Sequence, residues 1–181
     1  MEDYKTFSKD FVKRKRLGRG SDGVVYTYCH CASGIVTAVK QPLDSKNTQS
    51  FKVAALLDSD TAGDQAANQD ALVHVLGSKA IIRTKDVYTG PVVMPEIEDL
   101  LRDTLVKVAK ESLSIDVTAE AASELGRPII DLLKAASNNF SKYKLAKAYI
   151  RWVRDHTASE LADIERSQFK LLIDKINKAL K

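Results

Sequence analysis

The chain is poor in several things that would narrow its class. Its 181 residues hold two cysteines, Cys29 and Cys31, so no disulfide framework can be drawn. They stand two apart with only His30 beside them, which leaves a four-ligand zinc site unsupported. A reducing, cytoplasmic setting is the default expectation. The longest uninterrupted apolar run, Val53 to Leu57, is five residues, and a membrane-crossing helix needs about 20. The opening MEDYKTFSKD has no apolar core of the kind a signal peptide carries. Glutamate is absent between Glu2 and Glu96. No G-x-x-x-x-G-K-[ST] segment is present, so a P-loop nucleotide site is excluded. Internal repeats and low-complexity tracts are also lacking.

What the chain does have is a patterned charge distribution. Residues 1–50 carry 9 basic and 5 acidic side chains, residues 51–100 carry 4 and 8, and residues 101–181 carry 15 and 11. The local balances of +4, −4 and +4 leave an acidic middle between basic flanks. Such a balance suits a site that holds cations with phosphates around it, and it suits an ordinary soluble protein too. Apolar content of 44% and charged content of 29% fit a globular chain of one domain or two very small ones.

The acidic middle opens on Phe51 to Ala67, FKVAALLDSDTAGDQAA. The apolar run Val53–Leu57 reads as a buried strand of a parallel sheet. It stops at Asp58 and Asp60, one residue apart. In open α/β sheets ligands sit beyond the carboxyl ends of the strands, and two carboxylates at this spacing can share a cation. Equally, Asp58, Ser59 and Asp60 can turn the chain and cap the following helix. Asp64–Leu76 predicts one amphipathic helix burying Ala66, Ala67, Ala71, Val73 and Leu76, with Gly77 as its stop. Ala80-Ile81-Ile82 begins another strand.

Beyond the loop YTGPVVMP comes EIEDLL, Glu96 to Leu101. Glu98 and Asp99 fall in the first turn of a helix, where acidic residues meet the helix dipole favourably. They can alternatively form a second carboxylate cluster facing the first. Residues 111–139 predict helical pieces broken at Gly126-Arg127-Pro128. Ser141–Val153 predicts a strongly amphipathic helix with Leu145, Ala148, Tyr149 and Trp152 on its apolar face. Lys142, Lys144, Lys147, Arg151 and Arg154 cover much of the remainder, as a solvated basic face over a core would. Glu160–Leu180 places Leu161, Ile164, Phe169, Leu172, Ile173, Ile176 and Leu180 at helical spacing, as a covering helix would.

The segment LLDSDTAG resembles the acidic motif of the Toprim domain in its OLD (overcoming lysogenization defect) form, over about residues 51–181. The resemblance implies a parallel α/β sheet with flanking helices and a helical C-terminal part. It implies Mg²⁺ or Mn²⁺ held by Asp58, Asp60, Glu98 and Asp99, with Lys142 or Lys144 approaching a phosphate. The implied activity is DNA phosphodiester cleavage, with DNA as partner and an ATPase domain or a second copy as further partners. The family's early-strand glutamate has no counterpart, since Glu2 is the one glutamate ahead of Asp58. Its ATPase domain has none either, so the resemblance implies a truncated or fused form with a weakened site.

Upstream, Gly18, Gly20 and Gly23 form G-x-G-x-x-G, followed by Val24, Val25 and Tyr26 and then by Ala38-Val39-Lys40. Residues 11–43 resemble the glycine-rich-loop lobe of a eukaryotic-type protein kinase. That resemblance implies ATP phosphates under Gly18, Gly20, Gly23 and Val25, held by Lys40. Without H-R-D, D-F-G or a glutamate partner for Lys40, phosphoryl transfer is excluded, and a β-meander used for packing is the alternative. The expected organisation is an antiparallel β element over 1–45, a linker over 46–52 and an α/β domain over 53–181. Three functions stand side by side: a metal-dependent nuclease, an ATP-binding fragment and a module that only binds a partner.

Overall fold

The structure, a computed structural model, describes residues 54–180. The glycine-rich element with Gly18, Gly20, Gly23, Val25 and Lys40, the cysteine pair, the linker and Val53 lie outside the described residues.

The described chain is a mixed α/β unit, mostly helical, around a two-stranded parallel sheet. Strand β1 (Ala55–Leu57) pairs with β2 (Ile81–Arg83), Leu56 lying opposite Ile82. The connection between them is helical. Helix α1 (Thr61–Ala67) and helix α2 (Asp70–Leu76) are separate, where the sequence predicts one helix over Asp64–Leu76. The break follows from Asn68 and Gln69: the Gln69 amide bonds the Ala66 carbonyl, and Gln69 then caps α2 with extended backbone. The break rotates α2 relative to α1, so Val73 lies exposed while Leu72 is fully buried against Leu57 and Ala66. Gly77 does stop α2, with φ +74, a conformation open to glycine at little cost.

The larger core is helical. A 3-10 turn (Ile97–Leu101) runs into α3 (Arg102–Leu113), followed by α4 (Thr118–Ser123) and α5 (Ile129–Ala136). Helix α6 (Lys142–Asp155) packs on α3. Leu105, Val108 and Ala109 recur at helical spacing and meet Ile129, Ile130, Leu133, Leu145 and Ala148. Residues 126–128 separate α4 from α5, as the sequence predicts.

Helix α7 (Asp163–Ala179) crosses back onto β2 and the Ile97–Leu101 turn. Leu172 is buried with Ile82, Val87 and Leu100. Ile164 and Ile173 are exposed, against the expectation that they are covered. The inner face holds Glu165 and Gln168 instead. The Glu165 carboxylate accepts from the Thr104 amide at 2.9 Å, the Thr104 hydroxyl at 2.6 Å and the Ala162 amide at 3.1 Å. One buried carboxylate therefore satisfies orphan donors at the starts of both α3 and α7.

The close approach of α1 to the end of β1 depends on Gly63. A Cβ there would collide with the Asp58 carbonyl group, whose carbon would lie 2.9 Å away. Gly63→Ala is expected to cost about 2–3 kcal/mol by forcing α1 outward. Urea denaturation of parent and variant measures this, and an unchanged midpoint would contradict the packing described.

Candidate functional site

The carboxyl end of β1 leads directly into Asp58, Ser59 and Asp60. Three bonds fix the backbone here. The Thr84 hydroxyl donates to the Leu57 carbonyl, Arg83 Nε donates to the Asp58 carbonyl at 3.3 Å, and the Ser59 amide donates to the Pro95 carbonyl at 3.0 Å. The Ser59 hydroxyl, buried, accepts from the Lys85 amide at 2.8 Å. Arg83 also pairs with Asp64 on α1, and the Arg83 and Lys85 cations hold the Asp64 carboxyl below the usual range.

The two aspartates of the D-x-D do different work. Asp60 is the N-cap of α1, its Oδ1 accepting from the Gly63 amide at 2.7 Å. That is the capping role the sequence already allowed. Asp58 turns toward the Pro95–Ile97 segment, and its Oδ1 accepts from the Ile97 amide at 2.8 Å. Burial raises the Asp58 carboxyl above its ordinary value. The Ile97 amide and Lys142 oppose that rise, and Glu96 and Asp60 add to it.

The second acidic segment divides in the same way. Asp99 is 2% exposed, and both its oxygens are engaged by backbone: Oδ2 accepts from the Glu96 amide at 2.9 Å and Oδ1 from the Ile129 amide at 2.8 Å. Asp99 thus starts the 3-10 turn and also α5, whose N-cap, Pro128, has no acceptor side chain. The carboxylate expected to help hold a metal faces the protein's own amides. Glu98 points to the other side. Its Oε1 lies 3.4 Å from Lys142 Nζ, and its Oε2 is buried without a hydrogen-bond partner among the described residues. Burial raises the Glu98 carboxyl; Lys142 counters this, and Glu96 and Asp58 reinforce it.

Lys142, the first residue of α6, reaches this cluster, whereas Lys144, two residues on, stays exposed without a hydrogen bond or ion pair to a described residue. The Lys142 ammonium sits 2.6 Å from Glu96 Oε2. Burial works against the charge on Lys142, and the pairing with Glu96 and Glu98 outweighs it, so its pKa is raised. Glu96 is the residue that sequence reading passed over. It precedes Glu98 by two positions, the same spacing as Asp58 and Asp60, which was the available signal.

The structure therefore brings Asp58, Glu96, Glu98 and Lys142 into one region, where Lys142 lowers and Glu96 raises the Asp58 and Glu98 carboxyls against the larger effect of burial. Among the described residues no three carboxylate or imidazole side chains converge into a complete ion-binding group. Asp58 and Glu98 keep oxygens available for a divalent ion; Asp99 does not. None of the described helices is long and apolar enough to cross a membrane. No protein-family model, curated protein or solved structure matches the chain.

Two stability outcomes follow. Asp99→Ala strands one buried and one half-buried amide and is expected to cost about 2–4 kcal/mol, measured by urea denaturation. Asp58 acts in the opposite sense. Its folded-state pKa is raised, so the folded state holds the proton longer than the unfolded state, and stability falls as pH rises through that window. Asp58→Asn keeps an acceptor for the Ile97 amide and removes the buried charge. Its melting temperature should exceed the parent's at pH 7 and converge on it below the ordinary aspartate pKa. A variant less stable than the parent at pH 7 would show that Asp58 is not held at a cost.

Proposed function

We propose that the carboxyl end of β1 and the Glu96–Leu101 segment form a divalent-cation site for hydrolysis of DNA phosphodiesters. The observation that carries this is the charge imbalance around Lys142. Glu96 and Glu98 both pair with one ammonium, the Asp58 carboxylate lies near enough to feel its charge, and the buried Glu98 Oε2 lacks a partner among the described residues. A site with surplus half-buried negative charge is destabilised until a cation joins it. Asp58 and Glu98 are the residues that would hold Mg²⁺ or Mn²⁺. Asp60 stands beside them, with one oxygen committed to its helix.

A bound ion would supply Lewis acidity toward a phosphoryl oxygen and lower the pKa of a coordinated water. The chain's own residues do the rest. Glu96 keeps Lys142 protonated and holds its ammonium beside the carboxylates. A phosphate oxygen drawn to this ammonium gains charge stabilisation in a partly desolvated setting. The resemblance of LLDSDTAG to the OLD-type Toprim motif supports the same reaction class. The position of Asp58 beyond a parallel strand suits it also.

Nicking of supercoiled plasmid in Mn²⁺ or Mg²⁺ tests this reading. The parent is expected to nick, Asp58→Ala to abolish nicking, and Lys142→Ala to lower the rate about 100-fold. Because ligand carboxylates must lose their protons, Mn²⁺ affinity should rise with pH as the raised Asp58 and Glu98 groups ionise. Nicking that survives Asp58→Ala undiminished would sink the assignment.

A further inference from the structure

The outer face of α6 carries charge that the reading above leaves unused. Helix α6 contains Lys142, Lys144, Lys147, Arg151 and Arg154 with one acidic residue, Asp155, at its last position. Lys142 pairs with the second acidic segment. Lys144, Lys147, Arg151 and Arg154 are exposed, and none of them forms an ion pair with a described residue. At 100° per residue these four fall within an arc of about 80°, and they span about 15 Å along the axis. Beside them Tyr143 is 71% exposed, with Lys147 Nζ 5.3 Å from its ring centroid.

We propose that this face is a phosphate track: Lys144, Lys147, Arg151 and Arg154 grip the backbone of duplex DNA. The inference rests on the nuclease reading for its ligand and adds how that ligand is held. Charge complementarity favours a polyanion, since four cations stand along one line without acidic residues interleaved. Phosphates advance about 3.4 Å per residue along each DNA strand, so a 15 Å stripe matches about four of them. A lipid surface fits less well. An interfacial helix buries its continuous apolar face in lipid, whereas that face of α6, with Leu145, Ala148 and Trp152, is turned into the protein core. The exposed Ile150 and Val153 lie to one side of the basic stripe.

The test is fluorescence anisotropy of a labelled 20-base-pair duplex in EDTA, titrated over rising potassium chloride, so that binding is read without turnover. The parent is compared with a variant carrying Lys144→Gln, Lys147→Gln, Arg151→Gln and Arg154→Gln. All four side chains are exposed, and circular dichroism and thermal melting check that the variant folds. The slope of log affinity against log salt is expected to fall in magnitude by about 3 to 4 in the variant. An unchanged slope, a parent that does not bind the duplex, or binding of phosphatidylserine-containing vesicles in place of DNA would overturn the track. Nicking by the parent is scored separately. Binding with the expected slope change but no nicking removes the catalytic reading alone; nicking with an unchanged slope removes the track alone.

Discussion

The site depends on the buried carboxylate of Asp99. It accepts the Glu96 amide on one side and the Ile129 amide on the other. Those two bonds set the 3-10 turn at Ile97–Leu101 and seat α5 against it. With the turn set, the Ile97 amide faces Asp58, and Glu98 projects toward Lys142. An aspartate engaged only by backbone amides thus decides where three other charged groups stand. Glu165 does similar work at the starts of α3 and α7. Among the described residues the buried carboxylates Asp99 and Glu165 serve as helix starters supplied from a distance, because α3 and α5 lack a capping side chain of their own.

Against these satisfied carboxylates, Asp58 and Glu98 stand apart. Burial raises the carboxyls of Asp58, Glu98 and Asp99 alike, and what distinguishes the first two is that each has one oxygen that no described donor engages. The contrast lies in the donors that reach each carboxylate within one acidic region. Carboxylates fully met by amides hold the fold, and carboxylates left short of donors hold a cost that a cation would relieve. Lys142 offsets part of that cost and stays charged because Glu96 is beside it.

Legibility in the sequence followed the range of the interactions. Helix α6 was readable because its apolar residues repeat at the helical period and Ser141 precedes it. The break at residues 126–128 and the stop at Gly77 were readable because proline and glycine act locally. The split between α1 and α2 was not, since Asn68 and Gln69 are ordinary helix residues whose backbone bonds end α1. The inner face of α7 was misjudged because Glu165 and Gln168 are polar, and only partners on α3 and at Thr89 make their burial tolerable.

For the site, the amino-acid sequence by itself determined the candidates: two aspartates after an apolar run, an acidic pair of turns later, and lysines opening a helix. The tertiary structure alone decided among them. It assigned Asp60 and Asp99 to amides, paired Lys142 but not Lys144 with the second acidic segment, and added Glu96. The physical reason is that a carboxylate's role depends on which donors reach it, and here the decisive ones, Ile97, Ile129 and Lys142, lie 30 to 46 residues away along the chain.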